Sequence, residues 1–151
     1  MTTRTISGTQ KQTGITTGSW LRIGLQAGLA AVLVVLLTQA VILSLWPELV
    51  SFKPLESYPR SALFTFIPAL AATAIFARLV KTQERPIRTF LWISAAALLL
   101  SFIPDYILPI PNRTLVASSA AAFLHLVAGI VTVGLILAGY ARSSMRGRKD
   151  R

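Results

Sequence analysis

Residues 20–46 read WLRIGLQAGLAAVLVVLLTQAVILSLW, an apolar run broken only by Arg22, Gln26, Thr38, Gln39 and small residues. At a rise of about 1.5 Å per residue, roughly 20 such residues cross the hydrocarbon core of a bilayer. The run is therefore expected to span a membrane as a helix with some tilt. A secretory signal has a shorter apolar region, about 7 to 15 residues, and a small-x-small cleavage site. Here Thr38-Gln39-Ala40 comes late within too long a run, so the helix is expected to be retained. Trp20 and Trp46 bracket it, and because indole rings favour the headgroup level both are expected to be interfacial anchors.

Working outward, Pro47 stops this helix, and Ser57 followed by Pro59 starts a second, expected over 59–80. Pro68 lies within it and should free the Phe64 carbonyl and bend the helix. The connection Lys81–Arg88 is short and basic. Its Pro86 opens a third helix, expected over 86–103 and closed by Pro104. That run is near the lower limit for a span, which predicts local thinning or an upright orientation. Residues 104–114 hold Asp105, three prolines and Asn112 and read as an ordered turn at the margin. A fourth helix is expected over 115–140, capped by Asn112, with Tyr140 at the interface. Asn112-Arg113-Thr114 also matches the glycosylation acceptor pattern.

The ends differ from this 20–140 domain. Residues 1–19 are rich in Thr, Gly, Ser and Gln, and such a segment buries too little apolar surface to offset its ordering entropy. A flexible tail is expected there. Its Arg4 and lack of acidic residues are shared with organelle transit peptides, but no amphipathic stripe accompanies them. Residues 141–151 form a second, basic tail.

Composition supports the membrane class. Hydrophobic residues make up 54% of the 151-residue chain and charged residues 13%, against about 25% charged in a soluble domain. There is too little charge to cover a water-facing surface. The apolar runs are rich in Ala and Leu and lack the period of two that barrel strands require. The net charge of +10 could suggest nucleic acid. The basic residues instead sit in short segments between apolar runs, without interleaved aromatics to stack bases, so no nucleic-acid partner is expected. The chain has no Cys, which excludes disulfides, thiol chemistry and Cys-bound metal.

Placing both tails and the Lys81–Arg88 connection on one side gathers 12 of the 15 basic residues there. The other side keeps Lys53, Arg60 and Arg113 beside Glu48, Glu56 and Asp105. Lys and Arg are retained in the cytoplasm during insertion. The expected fold is therefore an all-α, integral membrane four-helix bundle with both termini cytoplasmic (N-in/C-in). Its partner is the lipid bilayer, with anionic headgroups drawn to the basic surfaces.

His125 is the only histidine and falls near the middle of the fourth helix, where an ionisable group is expensive and points to function. An imidazole there could relay protons or bind a ligand. No carboxylate is expected at its depth, because Asp105, Glu48 and Glu56 read as marginal, so Gln26, Gln39, Ser94 or Ser101 are the candidate partners. The simpler expectation is a neutral histidine tying two helices together. A single His without Cys gives no metal constellation. Gly24 and Gly28 form a GxxxG on the first helix, and Gly129 is a small residue near His125. Such spacing lets backbones approach, either within the bundle or in a homo-oligomer or a membrane-protein complex. No phosphate-cradling loop, nucleophile triad or paired carboxylate site is present.

The stretch Arg88–Ser101, the proline-containing turn after it and Ala121–Ala128 resemble the small four-helix bacterial membrane proteins grouped as DUF6069. Ser61-Ala-Leu and Ile67-Pro-Ala-Leu70 share that likeness, which covers roughly Ser61 to Tyr140. The resemblance implies four spans and a bacterial plasma membrane, and brings no activity, cofactor or substrate. The expected role is thus a non-enzymatic accessory or structural subunit with no cofactor. The alternative is a small transporter or channel with a cavity near His125 and Pro68. A polar-lined cavity reaching His125 would favour the second, and a tightly packed interior the first.

Overall fold

The computed structural model describes residues 15–149, and of 146–149 only the backbone. The flexible tail expected over 1–19 and the basic tail expected over 141–151 lie outside the described residues at 1–14 and 150–151. The described chain is helical throughout, with five α-helices and no strands. Helix α1 spans Thr17–Leu45, α2 is one turn over Lys53–Glu56, α3 spans Tyr58–Thr82, α4 Pro86–Ile107 and α5 Leu115–Lys149. A 3-10 turn at Pro47–Ser51 links α1 to α2. Helices α1, α3, α4 and α5 are long and apolar enough to cross a membrane.

Their ends follow local chemistry. Thr16 Oγ1 accepts from the Ser19 amide at α1. Ser57 caps α3 with Pro59 in the first turn, and Pro86 opens α4 without losing a helical bond. At α5 the cap is Thr114, whose Oγ1 accepts from the Ala117 amide. Asn112 does not fill that role. It takes a positive φ of 57°, which short polar side chains tolerate, and its Nδ2 donates to the Ser51 carbonyl at 3.1 Å.

The packing is small inside and large outside. The buried stripe of α1 includes Gly24, Ala27, Gly28 and Ala31. Its opposite ridge, Leu21, Leu25, Leu29, Leu33, Leu37, Val41 and Leu45, is exposed. A surface of this kind suits hydrocarbon, where small residues let helix backbones approach while lipid solvates the large ones. Helix α1 packs along α3 and α5, and α4 packs on α5 and α3. The glycines of α1 face α3: a Cβ on Gly24 would lie 3.2 Å from Thr73 Oγ1, and one on Gly28 2.8 Å from the Phe66 ring. Gly129 is looser, its nearest neighbour being Leu98 at 3.6 Å.

Two clusters close the ends. Near the chain termini Trp20, Phe76, Phe90 and Tyr140 interlock, Trp20 lying edge-on to Phe76 at 5.8 Å and stacked on Tyr140 at 6.0 Å. Trp20 is 7% exposed and so joins the core instead of anchoring at a headgroup; a ring packed between two aromatic neighbours buries more apolar area than an interface offers. Trp46, by contrast, is exposed. At the other end Val35, Ile42, Leu49, Phe52, Leu55, Ala117, Ala121 and Leu124 pack beneath α2.

Helix α4 runs four residues past the expected stop at Pro104. Its 22 residues give about 33 Å at 1.5 Å each, enough for a span. A proline costs a helix one hydrogen bond and a steric clash, and a neighbouring element can compensate for both. Helix α5 likewise continues beyond Tyr140 to Lys149.

The α1–α3 contact makes a specific prediction. Gly28→Leu should lower stability by about 1–3 kcal/mol through overpacking, whereas Gly129→Ala should leave it nearly unchanged. Thermal unfolding in a mild detergent tests this, and an unaltered midpoint for Gly28→Leu would refute the close approach.

Candidate functional site

The extra turn of α4 creates the site. Pro104 is exposed at the edge of the cavity described below, and the turn beyond it delivers Asp105 onto α5. The carbonyls that a helix end leaves orphaned are met one by one. The Leu108 amide donates to Pro104 O. Ser118 Oγ donates to Asp105 O at 2.6 Å. Arg113 Nη1 donates to Tyr106 O at 2.6 Å and to Leu108 O at 3.0 Å. The Tyr106 and Ser119 hydroxyls, 3.2 Å apart, add a further link between the two helices.

Held this way, Asp105 is only 4% exposed. His125 lies seven residues after Ser118, two helical turns along the same face, and its Nε2 stands 3.3 Å from Asp105 Oδ2. The two atoms are within ion-pair distance but not aligned as a hydrogen bond, since Oδ2 has no hydrogen-bond partner among the described residues. The histidine side chain is 43% exposed against 6% for the aspartate. The imidazole therefore fronts a space that the carboxylate backs. A carboxyl and an imidazole at this separation can pass a proton between them after a small reorientation.

That space is a cavity of about 480 Å³. It lies between α3 and α4 at the end away from their short connection, with α5 and Val35 of α1 behind it. Its walls mix apolar side chains such as Phe64, Ile110 and Leu124 with Ser61, Thr65, Ser101, Asp105 and His125. Lys53 and Arg60 also line it. The volume and the few convergent polar groups match small-molecule sites.

The α2 turn at the rim is held from below and beside. Buried Gln39 donates through Nε2 to the Leu55 carbonyl at 2.9 Å, and Arg60 Nη1 donates to the Lys53 carbonyl at 2.8 Å. Each bond satisfies a backbone group that a short helix cannot satisfy alone.

The expected site residues are thus dispersed. His125 lines the cavity, and its partner is Asp105, contrary to the expectation that no carboxylate lies at its depth. The physical reason is the continuation of α4 through Pro104. Gln39 supports α2 and makes no bond to His125. Gln26 is exposed on α1. Ser101 bonds its own helix at the Leu98 carbonyl while lining the cavity. Pro68 is exposed and is not among the lining residues, although Phe64, whose carbonyl it frees, is one. Gly24 and Gly28 pack α1 on α3 away from the site. Lys53, Arg60, Asp105 and Ser118 were not singled out as site residues. The available signal was Ser118 and His125 seven apart, facing whatever a helix crossing Pro104 would carry. Among the described residues no three His, Asp or Glu side chains gather as metal ligands.

No curated protein and no solved structure matches the chain. The model of a family of unknown function, DUF6069, matches residues 15–143. That span takes in α1, α3 and α4 whole and α5 as far as residue 143, and extends past the Ser61–Tyr140 likeness noted from the residues. The chain belongs to the DUF6069 family.

Proposed function

We propose that this chain is a multi-pass protein of a bacterial plasma membrane, a four-helix bundle with both termini cytoplasmic, that binds a small ligand in the cavity beside His125. The observation that carries the binding role is the cavity itself. A space of about 480 Å³ with a few polar groups converging on its wall, Asp105 and His125 among them, has the size and lining of a small-molecule site, which a transporter, channel or ligand-binding accessory protein needs. The reading is non-enzymatic. An active centre needs several groups converging on the reacting atoms, and Asp105 is the one ionisable side chain within pairing distance of His125 among the described residues.

Orientation rests on the division of basic residues, which puts the cavity in the outer half of the membrane. The bilayer is the first partner. On the cytoplasmic side an open groove between Arg85, Arg88, Trp92 and Tyr140 offers cations and aromatic rings to anionic headgroups. Self-association would have to use another face than Gly24 and Gly28, which are occupied by α3.

Two measurements test this reading. Reporter fusions at Glu84 and Arg151 should report cytoplasm, and those at Lys53 and Ile110 the outer side; a periplasmic signal at Glu84 would overturn the orientation. Native mass spectrometry of the protein extracted in mild detergent should show a bound small molecule that is missing from Ser101→Phe, in which a ring fills the cavity. Identical spectra for the two folded proteins would overturn the binding role.

A further inference from the structure

We infer that the cavity accepts a single-chain amphiphile with an anionic headgroup, a carboxylate or a phosphate monoester, entering sideways from the bilayer. The inference rests on the ligand-binding reading above and specifies the ligand's chemistry.

Three features converge on it. The first is charge: Lys53 and Arg60 both line the cavity, and among the described residues neither forms an ion pair with a carboxylate. They are also two of the three basic residues on a side otherwise poor in them. Arg60 keeps Nη1 on the Lys53 carbonyl, and its other guanidinium N–H groups form no hydrogen bond among the described residues; the third basic residue, Arg113, does not line the cavity. Two cations at the rim of an apolar space can hold an anionic head by charge-assisted hydrogen bonds.

The second is the wall. Below the rim Val35, Phe64, Leu124 and Ala128 line the space, giving an alkyl chain a continuous apolar surface. The third is access. Phe64 is 70% exposed and Pro104, across the cavity on α4, is also exposed. Both flanking residues thus face lipid as well as cavity, so a chain can pass between α3 and α4 without leaving hydrocarbon. The carboxylate of Asp105 does not repel the head. It is buried behind His125, and the imidazole is the group presented.

The test is a titration of the full chain in nonionic detergent, read by intrinsic tryptophan fluorescence and by native mass spectrometry. Palmitate and hexadecyl phosphate should bind saturably at one site. Hexadecyltrimethylammonium, with the same tail and opposite charge, should not compete, and neither should inorganic phosphate, which lacks the tail. The double variant Lys53→Gln/Arg60→Gln should weaken palmitate binding by about tenfold or more, as expected for two charge-assisted contacts; Arg78→Gln/Lys81→Gln, which removes two charges at the other end of α3, serves as the control without that effect. Equal binding of the cationic amphiphile, or palmitate binding indifferent to the double variant, would overturn the inference. If a co-purifying molecule is displaced by Ser101→Phe while the palmitate series fails, the anionic amphiphile is wrong and the ligand-binding reading stands. If Ser101→Phe changes nothing, both fall.

Discussion

Asp105 is a carboxyl group placed where carboxyl groups are expensive, and much of the surrounding architecture holds it there. Its carbonyl is fixed by Ser118, the end of its helix by Arg113, and its side chain looks onto His125 at 3.3 Å. Removing water from an ionisable group costs several kcal/mol unless a partner compensates. The compensation here comes from α5, so the last turn of α4 and the middle of α5 have to stay together. Keeping them together fixes one wall of the cavity. The opposite wall is set by α3, which α1 draws in through glycines that leave no space for a side chain. The volume between the walls follows from both contacts, because α3 and α4 are tied closely only at their short connection.

The four long apolar helices were legible in the sequence because hydrophobic run length is a strong signal and prolines and capping hydroxyls mark most ends. Ser57, Pro59 and Pro86 all act locally, within one turn, and a one-dimensional reading captures such effects; Thr16, which starts α1 three residues before Trp20, lies in the segment expected to be a tail. The direction of the α1 glycines was open between two partners, and packing against α3 decides it. Trp20 was misread because an indole near the end of a span can face lipid or core, and the choice depends on Phe76 and Tyr140, which are far away in sequence. The site itself was half legible. His125 stood out by its chemistry alone. Asp105 was hidden by the proline before it, since the ordinary reading of Pro104 as a helix stop moved the carboxylate into a turn. The bonds that offset the proline come from α5 and the turn preceding it, and no local pattern announces them.

A polar-lined space that reaches His125 from the outer side would make Ser61 and Ser101 accessible to water-borne reagents. The chain has no cysteine, so single cysteines can be introduced without prior substitution. Ser61→Cys and Ser101→Cys should react rapidly with a small, membrane-impermeant thiol reagent added from the outer side, while Leu63→Cys and Leu99→Cys, on the exposed apolar faces of the same helices, stay silent. A Ser101→Cys protein as unreactive as Leu99→Cys would mean that no such space opens there.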